Sequence, residues 1–335
     1  MVEKMSQAKL LKTVKKIIPP LTGALHKGQA GRIAVVGGSE DYTGAPYFAS
    51  ISALKLGADL SHVFCERNAG LVIKTYSPEL MVHPYLRNTD SLGKPNDRQR
   101  EIDAHVDRVV SMLPRLHVLV VGPGLSRDEV MMEMTKKIII KAKENKMPLV
   151  IDADGLYLIQ SEPELIKGYP LAVLTPNVNE FSRLCEAMNV RCDKEHIETA
   201  AEKLSQALGN VTILQKGEND TISNGKEVLT CSAEGSPRRC GGQGDLLSGA
   251  CATFLAWGKN YEAKAWDHSK NDDLDDDFET RLPLLAAWAA SLLARNCSKA
   301  AFAKHGRAMT TSDMIEQVGG VFQSIFEPDQ KQAVL

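Results

Sequence analysis

What the chain lacks narrows its function before any motif is read. It has no excess of either charge: 40 Lys and Arg stand against 42 Asp and Glu, a formal net charge of −2. No strong field therefore draws it to nucleic acid or to an anionic membrane. No apolar run approaches the roughly 18 residues that a membrane span needs. The seven cysteines (Cys65, Cys185, Cys192, Cys231, Cys240, Cys251 and Cys297) are odd in number and contain no Cys-x-x-Cys pair. That argues against a disulfide framework and a zinc site, and for a reducing compartment such as the cytoplasm. VVGGSEDYTGAP, at 35–46, lacks G-x-G-x-x-G spacing, and no G-x-x-x-x-G-K-[ST] loop occurs, so neither a Rossmann site nor a P-loop is supported. An ATP site, if present, must be of another type.

There is also no internal repeat and no linker-like break. The 335 residues are read as one domain, although length alone suggests about two. At the N-terminus, residues 1–20 read as a helix, with Leu10, Leu11, Val14, Ile17 and Ile18 on one face and lysines opposite. A mitochondrial leader would be richer in Arg and Ser, and here the first arginine is Arg32.

What is there alternates. Short apolar runs at 32–37, 117–121, 148–153, 171–175 and 211–215 read as strands buried on both faces, as a parallel sheet requires. Helical segments lie near 45–57, 99–113, 128–146, 178–189 and 196–208. The expectation is an α/β fold, a mostly parallel central sheet with helices on both faces. Asn224-Gly225 then marks a hairpin. Long helices follow at about 245–258 and 281–300, flanking an acidic stretch, 267–280, that reads as a solvated surface insertion.

Several strand ends carry candidate chemistry, each with a plainer reading beside it. SPRRCGGQGDLLSGACATFLAW, 236–257, puts glycines and Asp245 before a helical apolar face. Asp245 reads as an N-cap and the glycines as a loose turn. The same geometry would gather backbone donors around an anion and set an acid beside it as a proton acceptor. KGENDTI, 216–222, is a turn or a nucleotide contact. In TPNVNEFSRL, 175–184, Asn177 is a helix cap. With Glu180 it also puts an amide and a carboxylate at a carboxyl-end crevice, with Arg183 nearby as a phosphate contact. VVGPGLSRD and VIDADGL end two more strands; Asp152 and Asp154 cap turns, and Asp154 is also a candidate for a phosphate network.

In order along the chain, these motifs resemble a known family. GGQGD opening a helix, after a KGxxD strand end and an NxxE turn, resembles the ribokinase-like superfamily. HKGQAGRIAVVGGSEDYTGAP, GADLSHVF, YSPELMVHP, VVGPGLSR, VIDADGL, TPNVNEFSRL, KGEND and GSPRRCGGQGDLLSG together resemble its ATP-dependent (S)-NAD(P)H-hydrate dehydratases. The RRCGGQGD wording is close to the eukaryotic branch. The likeness runs over residues 12–318 and leaves 267–280 unexplained.

The resemblance implies a repair activity. Hydrated NADH and NADPH carry a ring hydroxyl that ATP phosphorylates, and phosphate then leaves as the dihydropyridine re-forms. It implies that Asp245 is the general base and that the N–H groups of Gly242, Gln243 and Gly244 form the anion hole. Lys216, Gly217, Glu218, Asn219 and Asp220 would line the ATP site, with Gly235, Ser236, Pro237, Arg238, Arg239, Cys240 and Gly241. Gly124, Asn177, Val178, Asn179, Glu180, Phe181, Ser182 and Arg183 would contact the hydrated dinucleotide. Mg2+ would accompany ATP, with Glu180 linked through water. An NAD(P)H-hydrate epimerase is the implied functional partner, and the fold often forms homo-oligomers. The alternative is a small-molecule kinase of the same fold, acting on a vitamin or sugar alcohol.

Overall fold

Nine strands form one sheet: β1 (Arg32–Val36), β2 (Leu60–Glu66), β3 (Met81–Leu86), β4 (Val118–Val121), β5 (Leu149–Ile151), β6 (Ala172–Leu174), β7 (Thr212–Gln215), β8 (Asp220–Ser223) and β9 (Val228–Cys231). The structure, a computed structural model, describes residues 7–22, 25–93, 97–192, 195–266 and 278–327. The spatial order is β3-β2-β1-β4-β5-β6-β7-β8-β9. Every pairing from β3 to β7 is parallel, and β8 and β9 extend the sheet antiparallel.

Alternation along buried strands divides the core. Ile33 and Val35 face one cluster while Ala34 and Val36 face the other; Val118 and Val120 part from Leu119 and Val121 in the same way. On the first side lie α1 (Gln7–Lys16), α2 (Gly44–Leu56), α9 (Gln243–Glu262), α10 (Phe278–His305) and α11 (Thr311–Phe326). On the second lie α4 (Arg98–Val110), α5 (Glu129–Glu144), α6 (Asp154–Ser161), α7 (Val178–Ala187) and α8 (Ile197–Ala207). A short α3 (Arg67–Ile73) packs beside β2 and β3. The α/β expectation holds. Of the acidic stretch 267–280, residues 267–277 lie outside the described residues, and Phe278 opens α10.

The hairpin expected at Asn224-Gly225 joins β8 to β9 through a four-residue turn rather than a two-residue one. Asn224 Oδ1 accepts from the N–H groups of Lys226 at 3.1 Å and Glu227 at 2.9 Å. β2 and β3 were not foreseen as strands. β2 begins Leu60-Ser61-His62, and β3 contains Pro84, which an edge strand tolerates because half its backbone groups need no partner.

Away from the carboxyl ends of the strands, His62 Nδ1 lies 3.0 Å from His83 Nε2, and Arg32 Nη2 lies 2.8 Å from His117 Nε2. Burial, then His83 and Arg32, lowers the His62 pKa from 6.5 to about 4; burial, then Arg32, lowers that of His117 to about 4 against the pull of Asp59. Both rings gain protons more readily when unfolded. Their contribution to stability is full above pH 6.5 and is lost as the pH falls toward 4. For His62, only 8% exposed, the loss is about 3 kcal/mol. Urea unfolding should therefore show stability falling below pH 6.5, before most carboxylates titrate, and His62→Phe should flatten that fall. An unchanged slope in the variant would assign the fall elsewhere.

Candidate active site

The parallel register sets three strand ends side by side: Ile151 pairs with Leu174, and Leu174 with Ile213. The residues that follow those strands therefore emerge at one edge of the sheet. Asp152 follows β5, Asn177 comes three residues after β6, and Lys216 follows β7. A backbone bond from Lys216 N to Pro176 O, 2.8 Å, ties the last two loops together. Lys216 Nζ reaches across to Asp152 Oδ1 at 3.0 Å, and the Asp152 side chain is 3% exposed.

Helix α9 points its N-terminus into this place. Gly242 is its N-cap, at φ +93°, a conformation that a side chain resists. A Cβ there would also come within 2.7 Å of Phe48 Cδ2 and 3.0 Å of Thr311 Cγ2. Gly244 lies closer still to the charges: a Cβ on it would stand 3.3 Å from Lys216 Nζ and 3.7 Å from Asp152 Oδ2. The helix begins at Gln243, so the expected cap at Asp245 is corrected. Asp245 is the third residue of the helix, and its carboxyl is free for other work. The N–H groups of Gln243, Gly244 and Asp245 belong to the first turn, where no helical carbonyl can reach them. The Gly242 N–H, at the N-cap, is likewise beyond the reach of a helical carbonyl, so the hole expected at residues 242–244 has its donors at this helix start.

Around these elements opens a cleft of about 730 Å³. It brings together Asn177, Val178, Asn179, Glu180, Lys216, Gly217, Glu218, Asp220, Gly235, Arg239, Cys240, Gly242, Gln243, Gly244 and Asp245. These come from three separate stretches of the chain, 177–180, 216–220 and 235–245. Other predicted residues stand apart from its lining. The Phe181 side chain is 1% exposed in the core below α7, where helical spacing turns it inward. Ser236 is buried and its hydroxyl lies 2.6 Å from that of Ser298. Gly241 gives its carbonyl to Thr311, and the Arg238 carbonyl accepts from Gln243 Nε2 at 3.1 Å. Gly124 packs on Tyr42, where a Cβ would lie 2.7 Å from the carbonyl oxygen. Asn219, Ser182 and Pro237 add no wall, and Arg183 lines a smaller neighbouring cavity.

Asp220 lines the cleft, but its carboxylate is occupied. It accepts from Gly217 N at 3.0 Å, Ser291 Oγ at 2.6 Å and Arg295 Nε at 3.2 Å. Arg295 also donates to the carbonyls of Gly217, at 3.0 Å, and Glu218. This network shapes the 217–220 turn from behind. Arg295 was missed because a lone arginine on an apolar helix carries no motif. Asp152, a turn cap on sequence grounds, pairs with Lys216. Asn177 caps α7 as expected, and Glu180 Oε2 accepts from Asn177 N at 2.7 Å in a full capping box.

The charges act on one another. Burial pushes the Asp245 carboxyl well above its ordinary value; Asp152 adds to the rise, and Lys216 opposes it. Burial likewise raises Glu180, against Lys216. Burial alone would lower the Lys216 ammonium, but Asp152, Glu180 and Asp245 together outweigh it and hold its pKa up. The site therefore combines a proton-hungry carboxylate, a firmly charged ammonium and a helix end with open donors. That set can hold an anion and accept a proton beside it.

Thr311 braces the donors. Its hydroxyl donates to Gly241 O at 2.7 Å, and its methyl touches the place of the Gly242 side chain. Thr311→Val keeps the methyl and should lower turnover about tenfold, with a stability loss of only about 1 kcal/mol, the worth of one buried hydrogen bond. Thr311→Ser should stay within about threefold of the parent. Equal turnover in all three would show that Thr311 does not brace the donors.

The family model described as NAD(P)H-hydrate dehydratase matches residues 33–319. A human protein named ATP-dependent (S)-NAD(P)H-hydrate dehydratase is 51% identical over 319 residues, covering 95% of this chain and 84% of the relative. The Schizosaccharomyces pombe protein of the same name is 47% identical, covering 96% and 94%. Among solved structures, a ribokinase-like superfamily protein from Enterococcus faecalis superposes with a TM-score of 0.72 at 18% identity, covering 95% of each chain. The ADP/ATP-dependent NAD(P)H-hydrate dehydratase from Bacillus subtilis, co-crystallized with ATP/Mg2+, gives 0.65 at 19%, covering 94% and 97%. The fold is ribokinase-like.

Proposed function

The chain belongs to the NAD(P)H-hydrate dehydratase family, and from that premise we propose that it is a nicotinamide nucleotide repair lyase. It dehydrates the S epimer of hydrated NADH or NADPH and spends one ATP, releasing ADP and phosphate. One observation supports this most: a buried carboxylate, Asp245, stands in the first turn of a helix whose open N–H groups face the same cleft as Lys216.

Asp245 takes the proton of the ring hydroxyl as its oxygen bonds to the γ-phosphorus of ATP, and the bond to the β-phosphate oxygen breaks. The N–H groups of the α9 first turn and the Lys216 ammonium hold the charge on the phosphoryl oxygens. The ring nitrogen then expels phosphate as the C–O bond breaks. Loss of a proton from the adjacent carbon restores the double bond. The 217–220 turn and Gly235, with Arg239 and Cys240, form the ATP wall. Asn177 to Glu180 form the opposite wall, for the dinucleotide.

Mg2+ fits these donors as a partner of ATP. Asp152 and Glu180 offer hard oxygens at the cleft, and no trio of candidate ligands gathers among the described residues. That suits an ion held mainly by phosphate oxygens and water, with Glu180 as a water-mediated link. Bound there, it would neutralise phosphate charge. All seven cysteines are free thiols, which supports a cytoplasmic setting. No helix among the described residues is long and apolar enough to cross a membrane. An NAD(P)H-hydrate epimerase is the functional partner we expect, because a lyase confined to one epimer needs the other converted.

The test is direct. The protein with ATP and hydrated NADH should restore the absorbance of the reduced nicotinamide, with ADP and phosphate released in equal amounts. A phosphorylated product that accumulates without NADH would make this a plain kinase instead.

A further inference from the structure

A smaller cavity of about 120 Å³ adjoins the main cleft. The two share Ala153 and Glu180. Ala153 sits at φ +48° between β5 and α6, and this turn sends Asp152 to the large cleft and Asp154 to the small cavity. Such a backbone is costly for a residue with a side chain and persists where its surroundings demand it.

Arg127 and Arg183 stand in the walls of this cavity. Arg127 is held in place: its guanidinium carbon lies 4.2 Å from the centroid of the Tyr157 ring, and its Nε donates to Asp154 Oδ1 at 3.4 Å. The other Asp154 oxygen accepts from Ser126 N at 3.0 Å. Both oxygens of that acid are thus engaged, while the two terminal nitrogens of Arg127 form no hydrogen bond with the described residues. Arg183 forms no hydrogen bond or ion pair with them either. Glu180, on the shared wall, has one oxygen committed to Asn177 N. Two arginines with unused donors therefore line, beside Asp154 and Glu180, a space that suits a phosphate group better than a nucleoside. A braced, planar fork is the donor that phosphate oxygens favour.

We propose that this cavity binds the 2′-phosphate of hydrated NADPH and sets a preference for it over hydrated NADH. The inference rests on the reading that the main cleft acts on hydrated dinucleotides. The two substrates differ only by that monoester, which carries close to two negative charges at neutral pH. Each phosphorus of the pyrophosphate they share carries one. A pair of cations therefore matches the monoester better.

The experiment compares kcat/KM for both hydrates in the parent protein and in Arg127→Gln, Arg127→Lys and Tyr157→Leu. Arg127→Gln should lose about tenfold on hydrated NADPH and stay within about twofold on hydrated NADH, with the KM for ATP unmoved. Turnover of hydrated NADH in the same preparation shows that the variant is folded. Arg127→Lys keeps the charge without the fork, and Tyr157→Leu removes the stack; both should fall between, again on hydrated NADPH alone. Added salt should depress the NADPH-hydrate rate more steeply than the other. Binding of 2′-AMP should weaken in Arg127→Gln, and adenosine binding should not. Equal losses on both hydrates, or none on either, would overturn the proposal. If the parent protein turns over neither hydrate with ATP, the reading of the main cleft has failed instead, and the two failures are distinct.

Discussion

Asp245→Asn should lose most of its turnover, by a factor of about 10²–10⁴, while binding ATP as the parent does. The asparagine fills the same space in the first turn of α9 and leaves its N–H groups where they are. What it cannot do is accept the proton of the substrate hydroxyl. Isothermal titration with ATP and a turnover assay separate the two effects. A variant that keeps the parental rate would remove Asp245 from the base role we propose.

The same substitution should stabilise the fold. Asp245 is 9% exposed, and burial first, then Asp152, raises its carboxyl pKa above the ordinary 3.8. Its folded pKa exceeds its unfolded one, so stability is greatest below the unfolded value and is lost as the pH rises through the folded value. Asp245→Asn escapes that loss and should gain about 1 kcal/mol above that pH, and little below it. A variant that melts lower at neutral pH would mean that attraction to Lys216 outweighs burial. Activity and stability pull in opposite directions at this residue, which is what a functional carboxylate buried among other charges implies.

Some of this was legible from residues alone, for a physical reason. Continuous apolar runs such as RIAVV and HVLVV serve a sheet covered on both faces, so the parallel core could be read without knowing its order. The GGQGD turn announced itself because only glycine fits beside Phe48 and Thr311 at φ +93°. Asp152 was less visible, since an acid after a short strand is most often a cap. The rule that ligands bind at carboxyl ends of strands, applied to every strand end, would have marked it. Arg295 and Thr311 had no such signal. Each acts through the backbone of a loop distant in sequence, at 217–220 and at 241, and only the folded chain sets them there. Phe181 shows a different limit: it lies inside a motif that resembles a binding segment, while helical spacing sends its side chain, like every third or fourth one, to the core.

Lys216 and Asp152 offer the sharper test of the electrostatics, because they act on Asp245 with opposite sign. Lys216 lowers the Asp245 pKa and Asp152 raises it. As a base, Asp245 works only when deprotonated, so turnover falls as the pH drops through its pKa. Lys216→Met removes the stabilising cation and should move that acid limb to higher pH. Asp152→Asn removes the repelling carboxylate and should move it to lower pH. Lys216→Met should also destabilise the protein by about 3 kcal/mol, since it leaves Asp152, 3% exposed, without its partner. Asp152→Asn should cost less, because an amide oxygen can still accept from Lys216 Nζ. Single-turnover rates measured across pH with excess protein give the limb in each variant, however low the plateau falls. Shifts of the same sign in both variants would mean that the limb belongs to neither Asp245 nor Glu180, since Lys216 and Asp152 act on each with opposite sign. Opposite shifts that persist in a Glu180→Gln background would tie the limb to Asp245, because the ammonium and the Asp152 carboxylate are opposed on both Asp245 and Glu180.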